Sequence, residues 1–199
     1  MSLRRSLLFA KNFLRYPKLL GSVVPSSPFL VNHLLSFIDW EMVEVVVEHG
    51  PGVGTVTAEI LKRIPSSAVL VVIELNPEFA RMLKAQIRDP RLRVVHGSAT
   101  DVHRILESQE LERADCIISG IPFTGMPESV RDHVLLESRR ALDPEGVLLV
   151  YQFTRTVLPH LKSVFRNVEE DFNLLNILPA RIFYCSSAVP GNANTDGDR

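Results

Sequence analysis

Between residues 43 and 153, five short apolar runs alternate with segments of helical composition, and this alternation restricts the fold more than any other property of the chain. The runs cover 43–48, 68–74, 92–96, 115–119 and 147–153. Helical spacing is found over 55–64, 77–88, 101–109 and 128–142. Pro77 suits a first helical turn, and Asp101 suits an N-cap or first-turn acid. Near-continuous apolar strands separated by helices predict an α/β fold with a parallel sheet covered on both faces. The pattern then changes. A helix is expected over 157–166, followed by apolar runs at 172–178 and 180–186. Only Pro179 separates these two runs, too little for a crossover, so they are expected to pair antiparallel. The tail from 189 to 199 is small and polar, with the composition of disorder.

The total charge of the 199 residues is −1, which excludes a strongly basic nucleic-acid binder. The charge is unevenly divided. Residues 1–38 hold Arg4, Arg5, Lys11, Arg15 and Lys18 and no acid, so 17 bases face 23 acids in the remainder. No apolar run is long enough to span a membrane. The N-terminus lacks the apolar core of a signal peptide, because Lys11 and Arg15 interrupt it. Cys116 and Cys185 sit in strand-like runs and read as buried thiols of a reducing compartment. These features suggest a cytoplasmic protein with an N-terminal segment (1–38), one main domain (39–188) and a tail.

The sharpest local signal is Glu48-His49-Gly50-Pro51-Gly52-Val53-Gly54-Thr55, which follows the first strand and opens a helix. Glycines there let the backbone turn tightly and let a ligand approach the main chain. Glu74 ends the second strand, twenty residues after Gly54, where an acid can accept hydrogen bonds from two ribose hydroxyls. The spacing G-x-G-x-G lacks the third glycine of a dinucleotide loop and the Lys-Ser/Thr of a phosphate-cradling one. An acid at Glu48 suits a ligand carrying an ammonium and no pyrophosphate. S-adenosylmethionine meets both requirements. His49 lies inside the loop and is expected to face solvent.

After the fourth strand comes Ser119-Gly120-Ile121-Pro122-Phe123. Backbone carbonyls and a small side chain can hold a nitrogen in line for methyl transfer, with an aromatic face to stabilise the resulting cation. The plain alternative is an ordinary turn in which Pro122 breaks the strand. At the other end of the chain, residues 2–18 read as an amphipathic helix. Leu3, Leu7, Ala10 and Leu14 share one face, and Arg4, Lys11, Arg15 and Lys18 share the other. Such a helix either lies on an anionic membrane or packs its apolar face on the domain. The stretch from Tyr16 to Ser27 is rich in proline and glycine and can serve as a lid; a helix is expected from Pro28, capped by Ser26 or Ser27.

Over about residues 9–186 the chain resembles the bacterial phospholipid N-methyltransferases of the soluble, membrane-associated type, class I methyltransferases related to ribosomal RNA adenine dimethylases. Four stretches carry the resemblance: Phe13 to Ser27, Glu48 to Thr55, Ser119 to Pro122, and Asn176 to Tyr184. The RNA enzymes would show Asn-Leu/Ile-Pro-Tyr/Phe where Ser119-Gly120 stands. The resemblance implies a Rossmann-like sheet of seven strands with the last antiparallel, S-adenosylmethionine as cofactor, and stepwise methylation of a phospholipid ethanolamine headgroup towards choline. It implies peripheral attachment to the inner membrane face. Candidate cofactor residues are Ser26, Glu48, Gly50, Gly52, Gly54, Thr55, Glu74, Leu75, Ser98, Ala99, Ser119 and Gly120. Candidate acceptor residues are Tyr16, Ile121, Pro122, Phe123 and Arg181, the last for a lipid phosphate, with Tyr16 and Ser119 the candidate catalytic groups. One departure stands out: Ser98 replaces the acid that usually holds the adenine amino group. No metal site is expected. Alternative readings are methylation of an ornithine lipid, a small amine or an RNA adenine, and an inactive cofactor-binding module.

Overall fold

The computed structural model of the protein describes residues 27–173 and 180–187. In chain order the elements are α1 (Pro28–Leu35), β1 (Val45–His49), α2 (Thr55–Leu61), β2 (Val69–Glu74), α3 (Pro77–Gln86), β3 (Leu92–His96), α4 (Val102–Ser108), β4 (Ala114–Ser119), α5 (Glu128–Ala141), β5 (Leu142–Gln152), α6 (Leu158–Val164), β6 (Asn167–Asn173) and β7 (Ala180–Ser186). All seven strands join one sheet in the order β3-β2-β1-β4-β5-β7-β6. β1 to β5 pair in parallel, and β7 runs antiparallel to both β5 and β6. This is the Rossmann-like arrangement expected above.

Local chemistry explains the element starts. Ser27 caps α1 by accepting from the Leu30 amide at 3.2 Å, with Pro28 in the first turn. Asn76 caps α3 at the Glu78 amide, with Pro77 next. Asp101 takes the N-cap position of α4 and is the first-turn acid of the short turn before it, but its side chain makes no cap bond; Ser98 caps that turn.

The sheet is covered on both faces. Val46, Leu70, Val72, Cys116 and Ile118 face one core cluster with α1, α2 and α3. Val47, Val71, Ile73, Ile117 and Leu148 face the other with α4, α5 and α6. Cys116 and Cys185 are free, buried and on opposite faces. A clasp between His33 Nε2 and Asp171 Oδ2, 2.8 Å apart, ties α1 to the far edge strand.

The expected strand over 172–178 is corrected. β7 pairs instead with Asn167–Asn173, and residues 174–179 lie outside the described ones. β6 contains Glu169, Glu170 and Asp171. As an edge strand it has one free margin and needs no apolar pattern, so charges are tolerated there and oppose edge-to-edge pairing.

The chain runs β1, β2, β3 to one side and β4, β5 to the other. The order therefore reverses between β1 and β4, and ligands of open α/β sheets bind at the carboxyl ends of the strands beside such a point. Glu48, His49 and Ser119 end those two strands.

Candidate active site

The loop after β1 is built by three left-handed glycines, Gly50, Gly52 and Gly54, with φ of +69°, +54° and +79°. Side chains other than glycine strain in this region. The neighbours of the three differ. A Cβ on Gly54 would meet Leu83 Cδ2 at 2.6 Å, so this glycine lets α2 approach α3. A Cβ on Gly50 would meet Ile121 Cγ2 at 2.6 Å, so the glycine loop touches the loop after β4. A Cβ on Gly52 would meet nothing within 4 Å, which leaves its backbone open to a ligand.

Two carboxylates flank this opening from the same face of the sheet. Glu74 accepts from the Gly52 amide at 3.0 Å through Oε2 and from the Asn76 amide at 2.8 Å through Oε1. With the Leu75 amide also acting on the carboxylate, its four lone pairs still leave one for a hydroxyl donor. Burial raises the Glu74 carboxyl above its ordinary range, opposed by these amide bonds. Glu48 is buried and accepts from the Thr57 hydroxyl at 2.6 Å. Desolvation, with a smaller contribution from the Glu74 charge, pushes it up to about 8. Among the described residues no cation pairs with it. A cationic ligand would supply what this carboxyl lacks. Leu75, 60% exposed beside Glu74, offers an apolar surface. An open glycine backbone, a ribose-type acceptor and an uncompensated buried carboxyl fit S-adenosylmethionine. When bound, that cofactor supplies the methyl group of an in-line displacement. The chain's own part is to orient and to exclude water.

Several candidate residues take unexpected places. Ser98 Oγ already accepts from the Thr100 amide and the Thr100 hydroxyl, so both its lone pairs are used locally. Phe123 is 1% exposed and packs in the core, because the short turn after Pro122 directs it inward; it offers no open aromatic face. Arg181 is held by Glu170 Oε1 at 2.5 Å and lies over the Phe172 ring at 4.8 Å, so its charge is already paired. Arg155, more exposed, binds the other oxygen of Glu170 at 2.7 Å. His49 is the last residue of β1 and is fully buried, not solvent-facing as expected. Thr55 opens α2, and Ala99 lies in the half-buried turn after Ser98. Tyr16 and Ser26 fall outside the described residues.

Other contributors were not visible in the sequence. Gln152 Nε2 donates to the Ile121 carbonyl at 2.7 Å and so fixes the loop that holds Gly120, Ile121 and Pro122. Tyr151 packs against Gly120, where an added Cβ would run into its hydroxyl. Thr57 anchors Glu48. No local motif marks any of the three.

Residues 9–187 match the model of the family described as ribosomal RNA adenine dimethylase. The chain belongs to the ribosomal RNA adenine dimethylase family. As a member of that family it is an S-adenosylmethionine-dependent methyltransferase. It is similar to an ornithine lipid N-methyltransferase of Singulisphaera acidiphila, 29% identical over 180 residues that cover 89% of this chain and 94% of the relative. It is also similar to ribosomal RNA small subunit methyltransferase A of Mycoplasma mycoides, 27% identical over 96 residues, covering 47% of this chain and 35% of the relative. Among solved structures, the N-methyltransferase NodS of Bradyrhizobium japonicum with S-adenosyl-L-homocysteine shares the fold, with a TM-score of 0.61 and 14% identity over 80% of this chain and 87% of that one.

Proposed function

We propose that this methyltransferase acts on the primary amine of a membrane-lipid headgroup, borne by ornithine or ethanolamine. The observation that carries this reading is the likeness to an ornithine lipid N-methyltransferase along nearly the full length of both chains. The likeness to ribosomal RNA small subunit methyltransferase A covers 35% of the Mycoplasma mycoides protein and 58% of the Dehalococcoides mccartyi one, the latter at 25% identity. Two features of the chain agree. Outside residues 1–38, acids outnumber bases, which disfavours a phosphate backbone as partner. Within residues 1–38, five bases and no acid suit an anionic surface.

Chemistry sets what the site must do. A primary ammonium has a pKa of about 10, so roughly one molecule in a thousand is neutral at pH 7. Burial of the amine at the site would lower that pKa by desolvation, and a role for the Ile121 carbonyl in receiving an N–H is supported by the Gln152 bond that fixes it.

Incubation with methyl-labelled S-adenosylmethionine decides between acceptors. Vesicles containing ornithine lipid, vesicles containing phosphatidylethanolamine and a small-subunit ribosomal RNA transcript are offered separately. Label is expected in one or both lipids. Label in RNA alone would overturn the reading.

Attachment to the membrane is tested by removing residues 2–18. Each base near an anionic leaflet contributes about 1 kcal/mol, so the loss in vesicle cosedimentation is expected to be large at low salt and small at high salt. Unchanged binding at low salt would remove this segment as the anchor.

A further inference from the structure

Two buried polar residues stand side by side at the ends of β1 and β4. His49 and Ser119 are each 0% exposed. Neither ring nitrogen of His49 and not the Ser119 hydroxyl has a hydrogen-bond partner among the described residues. The two are register partners on adjacent parallel strands. They therefore project from one face of the sheet, the one opposite Glu48 and Glu74.

Protein interiors rarely leave such groups unpaired, because burying a hydroxyl or an imidazole without a partner is unfavourable. Here three unpaired atoms are concentrated on two neighbouring residues, at the point where the strand order reverses. The main chain at His49 and Gly50 holds the loop that follows β4. The Gly120 amide donates to the His49 carbonyl at 3.0 Å, and Gly50, next to His49, backs directly on Ile121. A leucine at position 49 would fill a similar volume without an unpaired polar group. Position 49 thus gives up stability for polarity at the place where an acceptor must be turned towards the methyl group.

We propose that His49 is a positioning residue for the methyl acceptor and acts through Ser119: when the acceptor enters, the Ser119 side chain turns to donate its hydroxyl to the imidazole and presents its oxygen to an N–H of the acceptor amine. The arrangement needs an imidazole with one free lone pair. Desolvation lowers the His49 pKa to about 4, so the ring is neutral at physiological pH. A neutral ring also avoids adding a positive charge beside a sulfonium and an incoming amine. No proton changes owner in this step; the ring fixes a direction. The inference rests on an amine acceptor and holds for a lipid amine or an adenine amino group alike.

The test compares His49→Leu, His49→Gln, Ser119→Ala and the double variant His49→Leu/Ser119→Ala. Each is assayed on whichever of the two lipid vesicles or the RNA transcript the unaltered enzyme methylates. His49→Leu is expected to raise Tm by about 3 °C, since an unpaired polar group leaves the core. S-adenosylmethionine affinity should stay within about twofold, while kcat falls by roughly thirtyfold, in the range of a misaligned acceptor. His49→Gln, which both donates and accepts, should keep kcat within about fivefold. Ser119→Ala should lose as much as His49→Leu, and the double variant no more than either, because the two act as one unit. Normal kcat in His49→Leu overturns the proposal, and so do a lowered Tm in that variant or losses that multiply in the double variant. Methylation of RNA with none of lipid overturns the lipid reading alone, and the same variants then report on His49 with the RNA acceptor.

Discussion

Glu48→Gln is expected to make the free protein more stable and at the same time to abolish tight cofactor binding. The carboxyl ordinarily ionises near 4.5 and in the fold near 8, chiefly through desolvation. Between those values the folded chain keeps a proton that the unfolded chain has released. Stability therefore falls as pH rises from about 4.5 to about 8 and is level above. Glutamine cannot ionise, and it keeps an acceptor for the Thr57 hydroxyl. Calorimetry of the free variant at pH 7.5 should show Tm higher by roughly 5 °C and a flatter dependence on pH. Binding has the opposite sign. A cationic ligand requires the ionised carboxyl, so affinity in the unaltered protein should rise as pH approaches 8 and then level. Titration calorimetry at pH 6.5, 7.5 and 8.5 should show that rise, with uptake of ligand releasing a proton at the lowest pH. In Glu48→Gln the affinity should drop by about a hundredfold and lose its pH dependence, the size of a lost buried charge pair. Binding by Glu48→Gln within threefold of normal would show that Glu48 does not face the cationic part of the ligand.

The parts of this site that the sequence makes visible are those whose meaning is local. A strand, a glycine turn and a helix start are contiguous, so Glu48, the three glycines and Thr55 are legible at once, and Glu74 follows from the length of one β–α–β unit. Gln152 and Tyr151 are different. They act on Ile121 and Gly120, about thirty residues away, through the parallel register of β4 with β5, and no spacing rule encodes that register. His49 is misread for a smaller reason. Glycine follows it directly and suggests a loop, yet β1 continues one residue further and carries the imidazole into the core. β6 is misread because hydrophobic periodicity reports burial, and an edge strand with Glu169, Glu170 and Asp171 is only partly buried. The basic segment at residues 2–18 lies outside the described residues.

Gly120→Ala is expected to cost nearly all methyl transfer, with Tyr151→Ala restoring part of it. Gly120 has an ordinary φ, so backbone freedom is not the reason for glycine. Space is: an added Cβ would run into the Tyr151 hydroxyl and lie 2.7 Å from Cζ and 3.2 Å from Cε1. Tyr151 belongs to β5, whose backbone is fixed by pairing with Ile182, so the strain falls on the tyrosine ring and on the loop after β4. A shift of that loop carries with it the amide bond to His49 and the carbonyl held by Gln152. Overpacking of this kind costs about 1–3 kcal/mol of stability, and a shift near 1 Å at a reacting centre costs about a hundredfold in kcat. Tyr151→Phe removes only the hydroxyl and leaves Cζ in the way, so it should not rescue Gly120→Ala. Tyr151→Ala should return Tm to near that of Tyr151→Ala alone and recover at least tenfold in kcat, a coupling that independent sites would not show. The same geometry bears on the asparagine that the RNA enzymes are expected to carry where Ser119-Gly120 stands. Asparagine at position 120 begins with the same Cβ. Gly120→Asn is therefore expected to inactivate the enzyme without conferring methylation of the RNA transcript, and any acceptance of RNA should require Tyr151 to be made smaller as well.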